Sequence, residues 1–130
     1  MTRPLRVMIV EDEALIALQL EDDVEQAGCT VVGCASASQE ALTLARAMQP
    51  DLALLDVHLA DGPTGVELGR RLRAEGCEVV FVTANAKRVP ADLAATAGVL
   101  GKPYSAGALQ RQLHGAHERR GQGAGLSAGP

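Results

Sequence analysis

The stretch Leu5-Arg6-Val7-Met8-Ile9-Val10-Glu11-Asp12-Glu13 decides the fold. A short apolar run rich in branched residues stops abruptly at three acids. Such a run, without polar alternation, reads as a strand buried on both faces. Similar short strand signals recur four more times. They are Thr30 to Ala35, Asp51 to Val57, Glu78 to Thr83 and the brief Val99 to Gly101. Helical patterns lie between them. Ala14 to Ala27 carries Leu15, Leu18, Leu20 and Val24 near helical spacing, and Gly28 ends it. Ser36 or Ser38 can cap a second helix holding Ala41, Leu42, Leu44, Ala45 and Met48, which Gln49-Pro50 breaks. Val66 to Arg73, Ala91 to Ala97 and Ser105 to His117 complete the series. Pro90 breaks the stretch from Ala84, so no regular helix is expected before Ala91.

Five strands alternating with five helices predict an α/β fold with a parallel sheet covered on both faces. Right-handed crossovers and the length point to a flavodoxin-like (βα)5 doubly wound sheet in the order 2-1-3-4-5. One domain is expected over residues 4–118. From Arg119 the chain is rich in glycine and holds one large apolar residue, so 119–130 reads as a disordered tail.

Composition narrows the function. The 130 residues are 47% hydrophobic and 22% charged, enough for one core without disulfides or a structural metal. One Phe, one Tyr and no Trp argue against a stacking platform for single-stranded nucleic acid. A net charge of −4 argues against an electrostatically driven nucleic-acid binder. No apolar run approaches the roughly 20 residues of a membrane helix, and the start lacks a signal-peptide pattern. A cytoplasmic protein with no membrane association is expected. Cys29, Cys34 and Cys77 have neither disulfide-framework nor zinc spacing and read as free thiols. Residues 1–61 hold eleven acids against three bases. Glu21-Asp22-Asp23 with Glu25 reads as a solvated helix face. The other acids that matter sit at strand ends.

In sheets of this kind ligands bind beyond the carboxyl ends of the strands, where the strand order reverses. Glu11-Asp12 end the first strand, Asp56 the third, Thr83 the fourth and Gly101-Lys102-Pro103 the fifth. The topology therefore gathers three acids, a hydroxyl and a lysine in one pocket. Three close carboxylates repel unless a cation neutralises them. Hard oxygen ligands with incomplete protein coordination favour Mg²⁺, which keeps waters and bridges to phosphate. A lysine and a hydroxyl opposite can hold anionic oxygens. This inventory fits in-line phosphoryl transfer to a carboxylate.

In these motifs the chain resembles the receiver domain of bacterial two-component response regulators, over about residues 4–117. The resemblance rests on Val10-Glu11-Asp12, Leu54-Leu55-Asp56-Val57, Asp61-Gly62, Phe81-Val82-Thr83-Ala84 and Lys102-Pro103-Tyr104. It implies that Asp56 is the phospho-acceptor, Asp12 a direct Mg²⁺ ligand and Glu11 a ligand through water. The backbone carbonyl of His58 would add a metal contact. Thr83, the Ala84 N–H and Lys102 would bind phosphoryl oxygens, and the Lys102-Pro103 peptide would be cis. The implied protein is a stand-alone acceptor rather than an enzyme, with Mg²⁺-dependent self-phosphorylation and slow autodephosphorylation only. Its donor would be a sensor histidine kinase or a histidine phosphotransfer protein. Output would be protein contact through the face of the fourth helix, fifth strand and last helix, or phosphate storage. The segment after residue 118 is too short for a DNA-binding domain, so no direct DNA binding is expected.

Three positions depart from the family pattern. Glu11 stands where an Asp is common, and Val99 where a switching Tyr or Phe is usual. Ala84 replaces the Gly of the Phe-x-Thr-Gly pattern of a stand-alone proteobacterial subgroup. His58, His114 and His117 read as solvated side chains, Tyr104 as packing at the start of the last helix, and Asn85 as a residue able to orient water. A flavin carrier would need a phosphate-cradling loop where Glu11-Asp12-Glu13 stands. A dehalogenase-like phosphatase would need an Asp where His58 stands. The alternative within the resemblance is a degenerate receiver that docks without being phosphorylated.

Overall fold

The computed structural model describes residues 3–128. Its strands are β1 (Arg6–Val10), β2 (Thr30–Ala35), β3 (Leu52–Leu55), β4 (Glu78–Thr83) and β5 (Gly98–Gly101). Its helices are α1 (Ala14–Gln26), α2 (Ser38–Met48), α3 (Gly65–Ala74), α4 (Ala91–Ala94) and α5 (Ala106–Ala128), with one 3-10 turn at Ala86–Arg88. The strands form one parallel sheet in the order β2-β1-β3-β4-β5. Among the described residues, no helix is long and apolar enough to cross a membrane.

The apolar runs are explained by what each sheet face meets. Successive strand residues point to opposite faces. Met8, Val10, Ala53, Leu55, Val79 and Phe81 join residues of α2, α3 and α4 in one core cluster. Val7, Ile9, Leu52, Leu54, Val80 and Val82 join residues of α1 and α5 in the other. Beyond Arg6, β1 is buried on both faces, as is all of β3, so polar alternation has no place in them. Each fully buried Leu or Phe stabilises by about 1.5–3 kcal/mol over its exposed state.

The register lines up the strand ends that matter. Val10 pairs with Leu55, Leu55 with Phe81, and Thr83 with Gly101. The residues that follow Val10, Leu55 and Gly101, together with Thr83, therefore emerge at the same edge. Gly65 lets α3 start hard against that edge: a Cβ there would lie 2.0 Å from the Asp56 carbonyl oxygen.

Several details differ from the sequence reading. Of the four apolar residues placed near helical spacing on the first helix, Leu15 and Leu18 are 82% and 60% exposed. At about 100° per residue they fall opposite Leu20 and Val24, the pair that α1 buries. Neither Ser36 nor Ser38 caps α2; Asp61 does so from the loop after β3, accepting the Ser38 N–H at 3.2 Å and the Ser38 hydroxyl. α4 is a single turn, Ala91–Ala94, because the chain tightens there: the Thr96 N–H bonds Leu93 O three residues back. The segment from Arg119, read as a disordered tail, is instead helical as far as Ala128. Arg119 Nε bonds Glu78 at 2.8 Å, and Arg120 bonds the carbonyls of Asp51 and Gly76 at 2.7 and 2.6 Å. Those anchors hold the helix at the point where order was expected to end, and each further residue adds one backbone bond. Residues 129 and 130 of that reading lie outside the described residues.

Candidate functional site

Glu11 and Asp12 follow β1, Asp56 follows β3, Thr83 ends β4 and Lys102 follows β5. Glu11, Asp56 and Thr83 are buried, and Asp12 is exposed. One oxygen from each of Glu11, Asp12 and Asp56 lies within 4.8 Å of the others. Lys102 Nζ bridges two of them, at 2.6 Å from Glu11 Oε1 and 2.7 Å from Asp56 Oδ2. The sequence-predicted residues therefore converge as the topology requires. Ala84 follows Thr83 directly, and His58 lies two residues beyond Asp56 with its side chain exposed.

The backbone fixes each group. Asp56 Oδ1 accepts the Val57 N–H at 2.7 Å, which leaves Oδ2 toward Lys102. Glu11 Oε2 accepts the Glu13 N–H at 3.2 Å. Thr83 Oγ1 accepts the Asn85 N–H at 3.1 Å, and the Lys102 N–H bonds Thr83 O at 2.8 Å. The Lys102-Pro103 peptide is cis.

Electrostatics follow from burial. Burial lifts the Glu11 carboxyl above its ordinary value, against the pull of Lys102 and the Glu13 N–H. Burial pulls the Lys102 ammonium down, but its bonds to Asp56 and Glu11 outweigh that and raise it. Lys102 is thus held charged, as one cation among three carboxyl groups. The donor set is all hard oxygen, in excess of the cation present, and open to water at Asp12. It fits a divalent ion such as Mg²⁺, which accepts few protein ligands. Glu11, Asp12 and Asp56 are the side chains that would hold it.

Val99, at the position of the usual aromatic, packs partly buried against the cluster that includes Val89, Leu93 and Ala97. It offers no ring to rotate. The sequence reading missed two ties. Tyr104 does more than pack: its hydroxyl donates to Asp23 Oδ2 at 2.6 Å. Asp61 holds α2 and Thr64 to the loop after Asp56. The Tyr104–Asp23 and Ser38–Asp61 bonds join residues distant in the chain, and only a tyrosine where packing needs no hydroxyl hints at the first.

The chain matches the family model of the response regulator receiver domain over residues 7–114. The phyllosphere-induced regulator PhyR of Methylorubrum extorquens is 39% identical over 84 residues, covering 63% of this chain and 32% of that protein. The transcriptional regulatory protein PdtaR of Mycobacterium tuberculosis is 34% identical over 106 residues, covering 78% of this chain and 51% of that protein. The chain thus spans about a third to a half of the length of these curated relatives. The solution structure of the receiver domain of Erythrobacter litoralis PhyR superposes with a TM-score of 0.79 at 30% identity, covering 87% of this chain and 89% of that one. A parallel sheet in the order 2-1-3-4-5, an acidic pocket at its carboxyl edge and a match over residues 7–114 agree: the chain belongs to the response regulator receiver domain family.

Proposed function

We propose that this receiver takes a phosphoryl group on Asp56 from the phosphohistidine of a sensor histidine kinase or a histidine phosphotransfer protein, with Mg²⁺ required. The observation that carries the reading is Lys102 Nζ, shared between Asp56 and Glu11 beside Asp12. A lone lysine, paired with two of three neighbouring acids, leaves net negative charge at the site, and a further cation balances it. The degenerate-receiver reading needs a broken pocket, whereas every group the transfer uses is present.

Asp12, Asp56 and the His58 carbonyl, with Glu11 through water, would hold Mg²⁺, which would neutralise charge on the carboxylates and the incoming phosphoryl group. Asp56 Oδ2 attacks phosphorus, and an O–P bond forms as the donor's P–N bond breaks. The electron pair of that bond goes to the donor imidazole nitrogen. Lys102 then turns from the Asp56 carboxylate to a phosphoryl oxygen, a charge-assisted contact. The Thr83 hydroxyl and the Ala84 N–H bind the remaining oxygens. The exposed Leu15 and Leu18, on the first turns of α1 just after Glu11–Glu13, give the donor an apolar foothold beside the site. Output is protein contact through α4, β5 and α5, or storage of phosphate.

Phosphoramidate labelling with and without Mg²⁺ tests this. Stoichiometric Mg²⁺-dependent labelling, lost in Asp56→Asn, is the expected result. Full labelling of Asp56→Asn under the same conditions would sink the assignment. Asp12→Ala should lose Mg²⁺ binding, and Glu11→Asp should keep it.

A further inference from the structure

We propose that Tyr104 and Asp23 form a clasp that positions Lys102, which makes Tyr104 a positioning residue for the transfer. The proposal rests on the reading of Asp56 and Lys102 given above. Lys102 sits at the end of a long, flexible side chain, so its placement depends on how firmly its backbone is held. Only Pro103 separates it from Tyr104. The Tyr104 hydroxyl donates to Asp23 Oδ2 at 2.6 Å, between residues 81 apart in sequence. The other oxygen of Asp23 accepts Gln19 Nε2 at 3.1 Å, which fixes the acceptor's orientation on α1. The half-buried Tyr104 packs against the same core cluster as Ile16, Ala17 and Leu20 of α1.

The loop from Lys102 to Ser105 is therefore pinned at three points. The Lys102 N–H bonds Thr83 O at 2.8 Å, Tyr104 bonds Asp23, and Ser105 Oγ caps α5 by accepting the Ala108 N–H at 3.1 Å. Only the middle pin reaches α1, the helix rooted at Glu11–Glu13. The clasp thus joins the two segments whose side chains meet in the Lys102–Glu11 pair at 2.6 Å. Burial first, and the Asp23 carboxylate second, push the phenol well above its ordinary value, so it stays a donor. Packing alone needs only the ring, and the hydroxyl serves the clasp.

The full chain is labelled with phosphoramidate in Mg²⁺. Tyr104→Phe keeps the ring and drops the hydroxyl. It is expected to slow labelling about fivefold with the Mg²⁺ Kd within about twofold of the parent. Asp23→Ala should match it, and Asp23→Asn, which keeps an acceptor, should recover most of the rate. In a Lys102→Ala background Tyr104→Phe should change the rate by less than about 1.5-fold, because the residue it positions is gone. A tyrosine that merely stabilises the fold would slow both backgrounds alike. Equal slowing in both, or no slowing in the parent, overturns the clasp. The Lys102 ¹³Cε resonance should also shift in Tyr104→Phe before any phosphate is added, and an unmoved resonance overturns it as well. That signal needs no phosphorylation. A parent chain that fails to label would defeat the reading of Asp56, while the resonance still judges the clasp.

Discussion

β3 is four residues long and bracketed by two aspartates, Asp51 before it and Asp56 after it, and the two are neutralised to opposite degrees. Asp51 receives both guanidinium nitrogens of Arg3, at 2.9 and 2.8 Å, and the Arg6 N–H at 2.9 Å. Arg120 bonds its carbonyl oxygen. Asp56 shares one lysine with Glu11 and has Asp12 beside it. The same residue type at the two ends of one strand is thus a structural tie at one end and the proposed phospho-acceptor at the other. What separates them is the count of cations against carboxylates. A fully paired acid has no charge left to offer a ligand, whereas an under-paired one does.

The sharpest way to break the comparison is the same isosteric change at each end. Asp56→Asn should abolish labelling and leave stability within about 1 kcal/mol of the parent, because it removes one of three repelling carboxylates. Asp51→Asn should leave labelling intact and cost about 1.5–3 kcal/mol, the range for a lost hydrogen bond to a charged group. Arg3 is 63% exposed, so solvent screening places the cost toward the low end. Urea denaturation of both variants, beside phosphoramidate labelling, checks this. A large stability loss in Asp56→Asn, or lost labelling in folded Asp51→Asn, would erase the distinction.

Acid sharpens it next. Burial pushes the Asp51 carboxyl up, but the bonds from Arg3 and Arg6 outweigh burial and hold it below its ordinary value. Its folded value therefore lies under its unfolded one. The stability it contributes is complete above about pH 4 and is lost as pH falls through the folded value. The gap between the parent and Asp51→Asn should then be constant from neutral pH to about pH 4 and narrow below it. Urea midpoints at a series of pH values read this out. A gap that widens on acidification would reverse the sign and overturn the assignment.

How legible these ends were depends on the distance over which each is specified. The sheet order and the site residues follow from local pattern: an apolar run stopped by an acid marks each strand end, and topology gathers the ends. Asp56, Thr83 and Lys102 could therefore be placed together from spacing alone. Asp51 begins the same apolar run, but nothing local says that Arg3 and Arg120 will meet it. Leu15 and Leu18 misled because a helix with several leucines can bury only one stripe, and the neighbours that choose the stripe are remote. The helix continuing past Arg119 was hidden for the same reason, since its glycine-rich composition is local and its anchors on Glu78, Asp51 and Gly76 are not.

Arg120 tests the paired end with a smaller change. Its guanidinium holds the carbonyls of Asp51 and Gly76, joining α5 to the start of β3 and the turn before β4. Arg120→Ala should cost about 1–2 kcal/mol, for two bonds from a partly exposed charged donor, with the labelling rate unchanged. Differential scanning calorimetry and labelling check the two halves. Slowed labelling would mean that the two ends of the sheet are coupled, which their separate bonding does not suggest.

The smallest expected effect concerns the crossover that leaves the site edge. Residues Ala84 to Arg88 are exposed, with only the 3-10 turn at Ala86–Arg88 for internal structure. Beyond them Val89, Leu93 and Ala97 are buried, and Arg70 bonds Asp92 at 2.9 Å. The segment is therefore tethered at its far half and loose next to Thr83. With Val99 in place of a ring, the proposed phosphoryl transfer would act on this loose half, through Thr83 and Ala84. Few buried contacts and exposed backbone make opening cheap. Amides of residues 86–88 should exchange at least about tenfold faster than those of Val80 to Val82 in the unmodified chain, and slow on phosphorylation as the segment orders. Residues 93–97 should change less, because their buried side chains already hold them. Hydrogen exchange on both states decides it. Protection at 86–88 that is high beforehand and unchanged afterwards would leave a fixed, short α4 and no order–disorder switch.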